Sequence, residues 1–198
     1  MKYIEAHPIA VNILRQLEPV TDFCSIAGSI RREKQEVKDI EIVATPKMVI
    51  DRDMFQEITG SHISKSFVDI VRSLGVVIKG QPEGRMMQIQ LPQGIMLDLF
   101  MPQPHDLARQ YAIRTGSADW SHKVLAAAWV KKGWVGTVDG LRLEKECFYK
   151  QNPNVGSTNK RVYFCNVKNP TLPPVWADEW ELFSWLGLTW ITPQKRYV

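Results

Sequence analysis

Two acids one residue apart, Asp39 and Glu41 in KDIEIVAT, and a third, Asp98 in the apolar run IMLDLF, are the residues best suited to chemistry in this chain. Side chains two apart on a strand point to the same face, so Asp39 and Glu41 converge, and a neighbouring strand can add Asp98. Two carboxylates ~4 Å apart at an effective dielectric of about 20 repel by roughly 4 kcal/mol, so such a group binds divalent cations, takes up protons or stays hydrated. Oxygen ligands of this kind suit magnesium or manganese, and a pair of such ions activates an attacking hydroxyl and stabilises a departing phosphate. An isolated Asp-x-Glu also describes a solvated strand face. Asp98 tips the balance, because an acid among Ile95, Met96, Leu97, Leu99 and Phe100 requires partners when buried. A salt bridge to an arginine such as Arg85 is the competing way to supply one.

Ahead of the acids stands GSIRR. Gly28 lets the backbone approach a ligand, Ser29 offers a hydroxyl, and Arg32 can clamp phosphate oxygens in a bidentate fork. Alone, this is an exposed basic turn; a short interval before an acidic strand, it is an arrangement used by polymerising nucleotidyltransferases.

The elements that must position these residues are legible in outline. Ile9, Ile13 and Leu17 recur at helical spacing, with Pro8 expected in the first turn and Pro19 closing the segment. FCSIAG reads as a strand entering a turn, and KDIEIVAT as a strand with Ile40, Ile42 and Ala44 on one face and Asp39, Glu41 and Val43 on the other. Ile63 to Leu74 is expected to form a second amphipathic helix, with Ser61 or Ser64 as cap and Gly75 at its end. MMQIQLPQGIMLDLFM reads as a hairpin turning at Pro92-Gln93-Gly94. The prolines of Met101-Pro102-Gln103-Pro104 mark a domain boundary. Beyond it, Val124, Leu125, Ala128 and Trp129 share a helical face that ends in Lys131-Lys132-Gly133. A terminal helix following Asp178 is expected to put Trp176, Trp180 and Phe183 on one side.

With 198 residues, 44% of them hydrophobic, the chain can build one sizeable core or two adjoining ones, and disorder is not expected. Its net charge of +4 is a mild basic bias. Cys24, Cys147 and Cys165 form no CxxC or Cys/His array, so neither a zinc site nor a disulfide framework is expected, and an intracellular, reducing location fits. His7, Asn12, Arg15 and Gln16 interrupt the first apolar stretch, so no membrane segment is expected. His7, His62, His105 and His122 are scattered and are not expected to hold metal.

GSIRREKQEVKDIE resembles the GS-x-RR turn and paired metal-binding acids of the family X DNA polymerases, the DNA polymerase beta-like enzymes. IMLDLF resembles the strand that carries their third acid. RTGSADW resembles the segment where palm meets thumb, and WITPQKR is similar to the close of the thumb. The likeness runs over nearly the whole chain from the first helix onward, in the minimal palm-plus-thumb form of some viral polymerases.

That resemblance implies an α/β (α+β) fold: a nucleotidyltransferase palm with a mixed sheet over residues 1–103 and a smaller polymerase beta-like thumb over 104–198. It implies a DNA-directed DNA polymerase, adding deoxynucleotides to a primer 3'-hydroxyl in gap filling or repair. Asp39, Glu41 and Asp98 would hold two magnesium or manganese ions, with Asp98 helping to deprotonate the hydroxyl. Gly28, Ser29, Arg32 and the amide of Lys38 would receive the dNTP triphosphate. Arg114, Thr115, Gly116 and Ser117 would border the sugar, and Trp120 would open the helix lining the nascent base pair. DNA and dNTP are the expected partners of a monomer, with Lys131-Lys132 and Lys160-Arg161 as candidate phosphate contacts. Removal of a 5'-deoxyribose phosphate is not expected. Position 41 is Glu where the family has Asp, Ile113-Arg114 replaces an aromatic pair at the sugar, and Ser121 and Leu125 replace polar contacts to base and template, which predicts lower fidelity. A nucleotidyltransferase acting on RNA, protein or a small molecule, and a weakly catalytic DNA-end-binding module, are the alternative readings. Segment 144–170 matches the family least and is expected to be an inserted loop or hairpin.

Overall fold

The first apolar stripe folds as helix α1 (Tyr3–Leu17), which buries Ala6, Ala10, Ile13 and Leu17. The computed structural model describes residues 1–151 and 161–198. Pro8 lies inside α1 instead of in its first turn. The helix tolerates it because the hydrogen bond it removes belongs to the carbonyl of Ile4, a residue 77% exposed near the helix start.

The chain continues through strand β1 (Thr21–Ile26), the short helix α2 (Gly28–Arg31), β2 (Asp39–Pro46), a hairpin of β3 (Met48–Arg52) and β4 (Ile58–Ile63), helix α3 (Lys65–Ser73), β5 (Val76–Gly80), β6 (Met86–Gln90) and β7 (Met96–Phe100). Ser64 caps α3 by accepting from the amide of Phe67, and Ile63 belongs to β4, so the helix begins later than its apolar pattern suggests. The main sheet has the order β1-β2-β7-β6-β5. Only β2 and β7 run parallel, so the sheet is mixed. Ile40, Ile42, Leu97, Leu99, Met87 and Ile89 form the face that packs under α1 and α3.

The second part comprises helix α4 (Leu107–Thr115), a continuous helical stretch made of α5 (Ala118–Trp120), a π turn (Ser121–Ala126) and α6 (Ala127–Lys131), strands β8 (Trp134–Thr137), β9 (Gly140–Leu143), β10 (Cys147–Gln151) and β11 (Arg161–Cys165), and helix α7 (Glu179–Leu186). The four strands pair in the order β10-β11-β8-β9. Gly133 ends α6 and Gly187 ends α7, each at positive φ, the conformation a side chain resists. A second core joins Ala112, Trp120, Leu125, Trp129, Leu182 and Phe183. Trp176 and Phe183 are buried, but Trp180 is 61% exposed, so it does not share the packed side of α7. The two cores divide between Met101 and Ala108, where the paired prolines stand.

Segment 144–170 contains the β10–β11 hairpin, and register places Cys147 opposite Cys165, so two of the three cysteines are neighbours after all. Lys160 lies outside the described residues. No helix among the described residues is long and apolar enough to cross a membrane.

Candidate active site

Parallel pairing of β2 with β7 sets Glu41 directly opposite Asp98, with Asp39 two residues earlier on the same face of β2. The intervening Ile40, Ile42, Leu97 and Leu99 are fully buried on the other face. Period-two geometry therefore holds all three acids half-exposed on the face away from α1 and α3. Their proximity is felt electrostatically. Burial, and then the charge of Asp98, raise the Asp39 carboxyl above its ordinary value. Burial, followed by the charge of Asp39, pushes Glu41 up to about 7, against the opposing pull of Arg114 and Arg32.

The Arg85 alternative for Asp98 is not taken. Arg85 pairs with Asp139 at 2.7 Å, while Asp98 accepts a 2.9 Å hydrogen bond from the Gln88 amide across the sheet. That leaves the second oxygen of Asp98 available to another ligand.

Glu41 reaches α2. A Cβ built on Gly28 would stand 1.7 Å from its Oε2, so the glutamate is seated on the bare glycine at the start of α2. Gly28 has φ +61, a second reason for glycine here. With Glu41 so seated, no group of three acidic, His or Cys side chains among the described residues is drawn together tightly enough to form a ready-made metal cluster. The donor chemistry nonetheless fits hard divalent cations: three carboxylates on one face, with neither thiol nor imidazole among them.

Beside the acids lies an anion-friendly rim. The buried Ser29 hydroxyl, Arg32 Nε and Arg114 Nε have no hydrogen-bond partner within the protein. Buried polar groups of that kind carry a penalty until something accepts from them. Burial pulls both guanidiniums below their ordinary pKa, and Glu41 pulls them back. Arg114 also stacks over Phe100 at 3.9 Å. Lys38 is exposed next to Asp39.

The two adjacent arginines divide their work. Arg32 faces the site and donates from Nη1 to the Thr115 carbonyl. Arg31 turns away, forms a two-pronged pair with Glu179 at 3.0 and 2.7 Å, donates to the Thr115 hydroxyl and lies 3.8 Å over the Tyr111 ring. Arg196, fully buried, grips the same glutamate. Its carbonyl accepts from the Ser117 amide at 2.9 Å. The start of α2, the Thr115–Ser117 turn, α7 and the C-terminal stretch are thereby tied together.

Two expected sugar or base contacts are used for support instead. Thr115 is fully buried, its hydroxyl and carbonyl engaged by Arg31 and Arg32. Trp120 is 2% exposed, stacks on Phe183 and lies against Gly116, where a Cβ would come within 2.3 Å of the indole. Gly116, Ser117 and Arg114 do line a cleft of about 490 Å³ whose other wall is Arg32 and Glu41. Ser121 and His122 line it too, and only their place just after the TGS turn hinted at this. Gln88, Glu179 and Arg196 were missed by sequence reasoning. Glu179 reads as an ordinary acid in the first turn of a helix, and nothing local marks its partners 148 and 17 residues away.

No protein-family model matches the chain, and no curated protein matches it. Among solved structures, polymerase beta of Leishmania infantum in a ternary gap complex aligns with a TM-score of 0.64, over 99% of this chain and 70% of its own, at 15% sequence identity. A likeness at that identity speaks for the fold: the mixed α/β architecture of this chain is one also built by a polymerase beta.

Proposed function

We propose that the chain is a nucleotidyltransferase working as a DNA-directed DNA polymerase, with residues 1–103 as its palm and 104–198 as its thumb. The observation that carries this reading is the juxtaposition of two complementary sets of groups. Asp39, Glu41 and Asp98 share one face of two parallel strands, and the unpartnered polar atoms of Ser29, Arg32 and Arg114 lie beside them. A triphosphate attacked by a hydroxyl requires both: cation-holding acids where charge is exchanged and donors where the phosphate tail rests.

Asp39, Glu41 and Asp98 would hold two divalent cations, magnesium or manganese, which supply activation of the attacking oxygen and neutralisation of the leaving pyrophosphate. Gln88 fixes one Asp98 oxygen by hydrogen bonding, leaving the other to take the proton from the primer 3'-hydroxyl. Arg32, held by the Thr115 carbonyl, would offer its unpartnered Nε to the phosphates together with the Ser29 hydroxyl and the Lys38 amide. Gly116 keeps the turn thin enough for a sugar to lie against it, and Trp120 supports that turn from beneath. DNA in primer-template or gapped form and dNTPs are the partners this implies, for a monomer engaged in gap filling or repair.

Extension of a labelled primer on gapped and open templates, first in magnesium and then in manganese, tests the reading. Template-directed additions are expected. Transfer only to RNA, protein or a small molecule would change the acceptor, and binding of DNA ends without addition in either metal would overturn the assignment.

A further inference from the structure

The β10–β11 hairpin contributes nothing to the site above, yet its composition is unlike the rest of the chain. Between Cys147 and Cys165 stand Phe148, Tyr149, Tyr163 and Phe164, together with Lys150, Lys160 and Arg161, and no acidic residue. Register sets Phe148 opposite Phe164 and Tyr149 opposite Tyr163. Strand alternation therefore puts Phe148, Lys150, Val162 and Phe164 on one face. The two phenylalanine rings are stacked with centroids 5.7 Å apart and an interplanar angle of 24°, and the Lys150 ammonium stands 5.9 and 5.8 Å from them. The pair is only partly covered: Phe148 is 42% and Phe164 37% exposed. A cross-strand aromatic pair stabilises a hairpin whether or not it is covered. Leaving two parallel rings at the surface under a cation, on a strand pair without a single carboxylate, suits a partner that is both flat-faced and anionic.

We infer that this hairpin face is a stacking platform for a single-stranded stretch of DNA. This rests on the polymerase reading for the choice of DNA. Unpaired bases offer π-faces to aromatic side chains, and the phosphates between them meet Lys150, the combination by which single strands are held without sequence preference. The hairpin's root supports the placement. Tyr163 of β11 pairs with Thr137 of β8, and Thr137 lines a cleft of about 360 Å³ that it shares with Arg85, Phe100 and Arg114. Arg114 also lines the nucleotide cleft, so the hairpin is rooted on a strand that borders the same wall.

Fluorescence anisotropy of a labelled oligo(dT) on the full chain tests this. Phe148→Ala and Phe164→Ala are each expected to weaken oligo(dT) binding roughly tenfold. Phe164→Tyr should keep the parent affinity. Lys150→Gln should flatten the dependence of log affinity on log salt by about one. Thermal melts identify any variant that fails to fold, and for such a variant Phe164→Tyr and Lys150→Gln carry the test. Gap filling, with the template duplexed on both sides, should proceed at the parent rate in all of them. Parent-like oligo(dT) binding by the alanine variants overturns the proposal. So does an equal loss of blunt-duplex binding, or self-association abolished by the same substitutions while oligo(dT) affinity is unchanged. If the parent chain extends no primer, the polymerase reading fails, and the oligo(dT) affinities still decide the hairpin.

Discussion

Replacing Glu41 by glutamine should stabilise the protein while removing its activity, and the size of the first effect follows from the site's electrostatics. Burial, then the charge of Asp39, raises the Glu41 carboxyl from an ordinary 4.5 to about 7. Between those two values the folded state binds more protons at this residue than the unfolded state does. Folding stability therefore falls as pH rises through that window, and the full penalty is present above pH 7. At ~1.4 kcal/mol for each pH unit, the gap amounts to about 3 kcal/mol. Glutamine removes the partly buried charge, and the pull of Arg114 and Arg32 is already contained in the value of about 7. Solvent screening of this partly exposed carboxylate makes the net gain at pH 8 smaller, about 1 to 2 kcal/mol, which for a chain of this size raises Tm by roughly 5 °C.

Thermal melts of parent and Glu41→Gln protein from pH 5 to pH 8 in a chelating buffer measure this directly. The parent should lose stability between about pH 4.5 and pH 7, and the variant should lose much less, so that the two curves meet near pH 5 and separate at pH 8. Adding manganese at pH 8 should raise the parent Tm more than the variant's, since a cation bound only by the folded state stabilises it. Parallel curves across the whole range would refute the argument, because Glu41 would then be an ordinary hydrated acid.

Asp98→Asn should abolish nucleotide incorporation in primer extension while leaving DNA affinity by anisotropy within about twofold, since in the proposed reaction the carboxylate serves the attacking hydroxyl and not the duplex. Manganese should support faster incorporation than magnesium, with Glu41→Asp narrowing the difference, because magnesium demands near-ideal octahedral geometry and the longer glutamate is seated on Gly28. Affinity for primer-template should fall steeply with salt; a flat response in filter binding would argue for a small-molecule acceptor. Glu179→Ala should destabilise the fold by about 3 to 5 kcal/mol in urea unfolding, because it leaves Arg31 and the fully buried Arg196 without their shared counter-charge.

Which parts of this molecule were legible in sequence follows from what each element buries. Helix α1, β2, the β6–β7 hairpin and α7 were readable because each sets buried apolar residues at the period of its own geometry. The β3–β4 hairpin and β5 were not anticipated. Met48, Val49, Ile50, Ile58, Val76 and Ile78 in them are exposed apolar residues, so there is no buried face to imprint an alternation. Helix α4 escaped for the opposite reason: its buried positions are Ala108, Arg109, Ala112 and Thr115, which carry almost no hydrophobic signal. Arg109 is buried there by a two-pronged pair with Asp106 three residues before it, at 2.6 Å on each prong.

The acids were legible for a reason that does not extend to the arginines. Asp39, Glu41 and Asp98 owe their shared face to strand periodicity, which sequence carries directly, and only the pairing of β2 with β7 had to be supplied by the fold. Arg31 and Arg32 are adjacent on the short helix α2, where one residue of advance rotates the side chain by about 100°. That rotation sends Arg31 to Glu179 and leaves Arg32 beside Glu41. Two like residues in a row thus become a strut and a cleft-lining donor, and the choice between them is made by a glutamate 148 positions away. The strut holds the Thr115 hydroxyl while its neighbour holds the Thr115 carbonyl, so one threonine reports to both arginines. Any motion that separates α7 from α2 must therefore break the two-pronged Arg31–Glu179 pair, the contact that ties the second core to the start of α2.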